Sequence, residues 1–393
     1  MPDAFDAPTG EELRARGSMK WTTFPGTTGA FVAEMDVLPA PPVRAALDDA
    51  LDRGLTGYLP PWLTEELSAA TAAWYAQAYG WTVPDAWVHH VPDVMAALEA
   101  TIDHLTPPGS AVVLPTPAYM PFLTVPALRG RRVVQVPSVR DGDRWVVDLD
   151  GIAGALAAGG GLVVLCNPHN PLGTVATRAE LAALAEVVDH AGARVFADEV
   201  HAPLVRAGAV HVPYASVSPA AAAHAVTATS ASKAWNVPGL KCAQVLLSDE
   251  ATAARWAAVG PAVGRGTSTL GVVANVAAYQ HGRPWLEEVV GWLDANRRLF
   301  AALAAEHLPG VPVSDPEGTY LAWLDLRGTG AADDPATWCR EHAGLAVTDG
   351  RLCGDAGAGH VRLVLATPAP VLGAAVERLG AALHGAPGVG GRS

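Results

Sequence analysis

The chain has 393 residues, half of them apolar and 17% charged, with a formal net charge of −13. That length exceeds one ordinary domain and predicts two domains around a shared site, and the apolar content predicts a large buried core in place of a disordered chain. The lysines and arginines are scattered without a basic block, which argues against a nucleic-acid partner, and no uninterrupted apolar run is long enough to cross a bilayer.

Residues 1–20 open with MPDAFDAPTG, acidic and without an apolar stretch, so no signal peptide is expected. Val43, Leu47 and Leu51 lie on one face of a predicted helix that Gly54 ends. Short apolar runs at 111–114, 132–136, 162–166, 194–197, 225–229 and 243–247 read as buried strands. They lack period-two alternation, which suits a mostly parallel sheet covered on both faces. Between two of them a helix is predicted with Thr177 as N-cap and Glu180 completing the capping box. Its apolar face is Leu181, Leu184, Ala185 and Val188, and Gly192 follows its end. Such strand–helix–strand repetition argues for an open α/β sheet, whose ligands sit beyond the carboxyl ends of strands.

Beyond residue 284 a long helix is predicted over 285–307 (Trp285, Leu286, Val289, Trp292, Leu293). A Pro/Gly connector follows at 309–318, then a strand at 319–326, a closing strand–helix pair near 361–383 and a Gly-rich, mobile tail. The expected division is a large domain over 41–283 and a small one built from 1–40 and 284–393. Cys166, Cys242, Cys339 and Cys353 show no C-x-x-C spacing, which reads as reduced thiols of a cytoplasmic protein. The thirteen histidines include no H-E-x-x-H and no paired ligand spacing, so no metal is expected.

Chemistry-bearing residues concentrate where three predicted strands end: N-P-H-N-P-L-G at 167–173, D-E-V-H at 198–201 and S-A-S-K-A-W-N-V-P-G-L-K at 230–241. Singly, Lys233 reads as a surface lysine, Asp198 as a strand-end cap and Asn170 as a turn residue before proline. In order, the three segments resemble the pyridoxal-5′-phosphate (PLP) site of the class I/II aminotransferases. More narrowly they resemble the cystathionine β-lyase (C–S lyase) branch of that family. The resemblance runs from about residue 16 to 380 and takes in R-x-x-x-K-W (Arg16, Lys20, Trp21), F-V-A-E-M-D (31–36), T-G-Y (56–58), P-A-Y (117–119), T-Y-L-A-W-L-D (319–325) and V-R-L (361–363). It implies the fold type I architecture of PLP-dependent transferases: a mostly parallel seven-stranded sheet flanked by helices, plus a smaller α/β domain.

The resemblance also implies roles. Lys233 is the amine that joins the PLP aldehyde and, once freed by substrate, removes the Cα proton. Asp198 faces the pyridine nitrogen, Asn170 donates to the phenolic O3′, and His201 lies near that side of the ring, where many transaminases carry tyrosine. Ser230 and Lys241 serve the phosphate, Lys241 standing where many relatives have arginine. The amides of Val94 and Met95, at a helix start, face the same anion, with Asp93 turned into the N-cap. Tyr119 stacks on the ring. Tyr58 reaches across a homodimer interface to the neighbour's phosphate, and Arg362 binds the substrate α-carboxylate. Two positions depart from relatives: Cys353 precedes Gly354 where phenylalanine is common, and Val364 stands in R-L-V-L-A where R-L-N-F-A is common.

The implied reaction is α,β-elimination from L-cystathionine or another S-substituted L-cysteine, giving a thiol, pyruvate and ammonia. Lys233, or Tyr58 of the neighbouring chain, protonates the leaving thiolate. An aminotransferase, or a specialised lyase for a cysteine conjugate of a biosynthetic pathway, would use the same residues. A non-enzymatic regulator on this fold is disfavoured because Lys233 and Asp198 are both retained.

Overall fold

The computed structural model describes residues 3–142 and 144–385. Seven strands, β1 (Val88–Val91), β2 (Ala111–Thr116), β3 (Val133–Pro137), β4 (Gly160–Cys166), β5 (Arg194–Asp198), β6 (Ala225–Thr229) and β7 (Ala243–Leu247), form one sheet in the order β1-β7-β6-β5-β4-β2-β3. From β3 to β6 every pairing is parallel, and β7 is antiparallel to both of its neighbours. Successive strand residues turn to opposite faces. Val112, Leu162, Val164, Phe196 and Val226 pack in one layer, and Val113, Val163, Leu165, Val195 and Ala197 in another. Both faces are apolar, which is why the runs show no alternation. Leu162, Val163, Val195 and Phe196 are wholly buried, each contributing roughly 1.5–3 kcal/mol of burial.

Six of these strands are the six apolar runs of the sequence. The seventh, β1, reads Val-His-His-Val, and its half-buried histidines interrupt the apolar signal. It pairs only with β7 at the sheet edge, where polar side chains are tolerated.

The helix Arg178–His190 carries the expected capping box, with Thr177 Oγ1 accepting from Glu180 N and Glu180 Oε2 from Thr177 N. Leu181, Leu184, Ala185 and Val188 are its buried face, and Gly192 takes φ 62° just beyond it. The helix Pro41–Asp52 buries Val43 and Ala50, whereas Leu51, expected on its apolar face, is half exposed. The helix Arg283–His307 begins at a residue followed by Pro284, whose missing N–H costs nothing in a first turn.

A second sheet, β8 (Leu321–Asp325), β9 (Thr348–Asp349) and β10 (His360–Val364), is antiparallel in the order β8-β10-β9. β8 is shorter than the predicted 319–326 because Thr319 adopts φ 66°, outside strand geometry. Ala322, Leu324, Val361 and Leu363 pack on Leu372, Val376 and Leu379 of the helix Ala369–Gly385. The alternate residues Trp323 and Arg362, partners in register, turn the other way. Arg362 thereby reaches Asn170, in the loop that follows β4. From residue 386 onward the Gly-rich tail lies outside the described residues.

Candidate active site

Strand register brings the three segments together. Cys166 pairs with Asp198 and Asp198 with Ala228, so β4, β5 and β6 end side by side and the residues that follow emerge at one rim. A cavity of about 230 Å³ lies there, bordered by Asn170, Asp198, His201, Ser230, Lys233 and Lys241. Tyr119 borders it from the loop after β2, and Val94 and Met95 from the first turn of the helix Val94–Leu105.

The chain has three lysines. Lys20 pairs with Asp36 and Lys241 with Asp93, each at 2.8 Å. Among the described residues Lys233 has no carboxylate at ion-pair distance; its Nζ donates to the carbonyl of Ala33 at 2.8 Å. Burial, with Arg362 adding repulsion, pulls the Lys233 ammonium down to about 8. Such a lysine supplies the neutral, nucleophilic amine near physiological pH.

Asp198 is buried, and its Oδ1 accepts from the Val200 amide at 3.0 Å. Burial pushes its carboxyl up to about 7, against the opposing pull of that amide and of Lys233. A cation beside it would hold it ionised. His201 is also buried; burial drives it well below the usual histidine range, so its ring is neutral. Its Nδ1 has no partner among the described residues, and its ring meets Tyr320 edge-on at 5.8 Å. Arg362, 1% exposed, donates from Nη1 to Asn170 Oδ1 at 3.0 Å and from Nη2 to the Phe31 carbonyl and Thr348 Oγ1. With its oxygen taken by Arg362, Asn170 has its amide N–H donors left for the cavity.

At the other end of the cavity, Asp93 N-caps its helix through Ala96 N at 2.9 Å, as expected. Its second oxygen takes Lys241. Burial acts to raise the Asp93 carboxyl, but Lys241 and the helix amides outweigh it and hold it low. Acid and base thus neutralise each other at this helix start, a pairing that sequence spacing does not reveal. Ser230 borders the cavity with its hydroxyl engaged, donating to the Cys242 carbonyl at 2.6 Å and accepting from Ser232 N. Ser232 borders the cavity as well, with no side-chain bond among the described residues.

The sequence reading gave no role to the segment 31–36 or to what fixes it. Asp36 accepts from Lys20 Nζ and from Trp21 Nε1, each at 2.8 Å, and Arg16 reaches its carbonyl. Asn236, three residues after Lys233, holds Met35 through both backbone groups. The R-x-x-x-K-W and A-E-M-D motifs are therefore two halves of one buried clamp. The clamped segment presents the Ala33 carbonyl to Lys233 and to Tyr320 Oη, and the Phe31 carbonyl to Arg362. Cys353 is buried with Leu172 and Trp323, and burial pushes its thiol up to about 11; Val364 lies in the main core. Tyr58 is fully exposed and stands apart from the cavity of its own chain, at a separate cleft that Thr269 and His90 also line.

An amine without a counter-ion, a buried carboxylate, amide donors and an aromatic ring around one cavity fit a flat, cationic heteroaromatic aldehyde. The helix start fits an anionic group attached to it. PLP has these features. The family model for class I and II aminotransferases matches residues 32–379. A cystathionine β-lyase of Corynebacterium glutamicum is 40% identical, covering 88% of this chain and 91% of that one. The cystathionine β-lyase PatB of Bacillus subtilis is 30% identical over 95% of this chain and 98% of its own. The crystal structure of a PLP-bound C–S lyase from Staphylococcus hominis superposes with a TM-score of 0.89 at 26% identity, covering 95% of this chain and 97% of that one.

Proposed function

Because the chain belongs to the class I and II aminotransferase family, we propose that it is a PLP-dependent carbon–sulfur β-lyase. It cleaves L-cystathionine or another S-substituted L-cysteine by α,β-elimination. The observation that carries the reading is the convergence of Asn170, Asp198 and Lys233, from three strand ends, on one cavity. Likeness to cystathionine β-lyases over nearly the whole chain favours elimination over transamination.

Lys233 would hold the cofactor, with Asp198 at its ring nitrogen, Asn170 and His201 at its phenolic oxygen and Tyr119 on its face. Lys241 and the amides of Val94 and Met95 would hold its phosphate, while the Ser230 hydroxyl, bonded to the Cys242 carbonyl, shapes that end of the cavity. Bound PLP supplies an electron-accepting ring that takes up the electron pair of the broken Cα–H bond. Asp198, as a carboxylate, keeps that ring protonated. Arg362 grips the α-carboxylate of the amino acid with its planar fork and, through its bond to Asn170, fixes the amide beside the ring. Lys233 takes the Cα proton. The Cβ–S bond then breaks with its electron pair on sulfur, and Lys233, or Tyr58 of a second copy, returns a proton to the thiolate. The remaining three-carbon fragment takes up one water to give pyruvate and ammonia.

The full exposure of Tyr58 supports a homodimer with shared sites, and four unpaired, buried cysteines support a reducing, cytoplasmic setting. The division into 41–283 and the two flanking segments belongs to the same reading. The test is L-cystathionine with the purified holoenzyme: equimolar pyruvate and homocysteine are expected. No pyruvate, together with turnover of an amino acid against a 2-oxo acid, would make it an aminotransferase.

A further inference from the structure

A second cavity, of about 200 Å³, lies behind the loop that carries Asn170, and Cys166 borders both it and the cofactor cavity. Its wall is aliphatic, with Leu165, Leu172 and Leu184 buried and Trp145, from the short antiparallel pair Val139–Asp141 and Arg144–Val146, at its side. Two donors border it from the 167–173 loop. Asn167 is 2% exposed; its Oδ1 accepts from Ala176 N, and its Nδ2 has no partner among the described residues. His169 is 9% exposed and accepts from Leu172 N at Nδ1, so Nε2 carries its hydrogen. Burial pulls His169 down to about 4, which keeps that ring neutral.

The cavity opens to solvent past Ser138 and Asp141, but its floor is apolar, and buried donors without acceptors are rare. The cationic residue at the rim, Arg144, already serves two carboxylates, Glu180 and Glu317. The lining holds one cation, Arg144, against Asp141 and Glu180, with Arg140 outside it over the Trp145 ring at 4.4 Å, so the lining itself disfavours an anion. An apolar cavity of roughly 150 Å³ takes up benzene, so this one has room for a single ring with a short substituent.

We propose that this cavity is a binding site, separate from the cofactor pocket, for a small, neutral, largely apolar carbonyl compound. Hydrocarbon fills the leucine wall, and the carbonyl oxygen accepts from Asn167 Nδ2 and His169 Nε2. The site stands whether the neighbouring centre is a lyase or an aminotransferase.

The test titrates the holoenzyme with acetophenone, ethylbenzene and benzoate. Acetophenone is expected to bind saturably in the millimolar range or tighter, with ethylbenzene about tenfold weaker for want of the carbonyl and benzoate weaker than acetophenone. Aromatic ketones quench indole fluorescence, and the saturable part of the quench is expected to vanish in Trp145→Phe. Leu184→Phe, which fills the cavity, is expected to remove acetophenone binding by saturation-transfer NMR. A cavity holding water alone would show no saturable binding and would overturn the proposal. So would equal binding of ethylbenzene, tighter binding of benzoate, or a quench unchanged in Trp145→Phe.

Discussion

Lys233 and Arg362 are two cations of the central site, and they arrive by different routes. Lys233 stands four residues beyond the end of β6, on a loop. Arg362 is mid-strand in β10, on the face turned away from the small core. Lys233 has one carbonyl for a partner and an ammonium pulled down to about 8 by burial. Arg362 is locked by Asn170, Phe31 and Thr348, and a guanidinium stays charged even though burial lowers it. One cation is left free to exchange a proton; the other is fixed as an anchor.

If that contrast holds, replacing the two should produce different losses. Lys233→Ala should lower kcat for pyruvate release by about a thousandfold or more, since removal of the Cα proton loses its carrier. Asp198→Asn should cost about a hundredfold in kcat, because a neutral amide no longer holds the ring nitrogen charged. Arg362→Ala should cost about a hundredfold in kcat/KM, carried chiefly by KM. A Lys233 variant whose loss lay in KM, or an Arg362 variant whose loss lay wholly in kcat, would erase the distinction.

The same contrast explains what was legible in the sequence. A loop residue just past a parallel strand is placed by sheet topology, and the apolar runs before Asn170, Asp198 and Lys233 announce those strands. The substrate side is assembled from residues 31–36, β8 and β10, far apart in the chain. Period-two patterning gives the face of Arg362 but not what that face meets. The pairs Lys20–Asp36 and Lys241–Asp93 join residues 16 and 148 positions apart, which spacing alone cannot pair. β1 was hidden by its own histidines, and Leu51 fitted the helical period of Val43 but lies half exposed at the end of that face.

A smaller effect follows from the depressed Lys233. Only the neutral amine joins an aldehyde, and below its folded value the group is mostly ammonium. The rate at which the cofactor-free protein takes up PLP should therefore rise about tenfold per pH unit up to about 8 and then level off. A rate still climbing steeply through pH 10 would show an ordinary, solvated lysine.

The central claim is tested most directly by reducing the PLP-loaded protein with borohydride, digesting it and locating the pyridoxyl label by mass spectrometry. With three lysines in the chain, the outcome is unambiguous. The label is expected on the peptide containing Lys233. Its appearance on Lys241 or Lys20, or no label on a protein that retains bound PLP, would contradict the account.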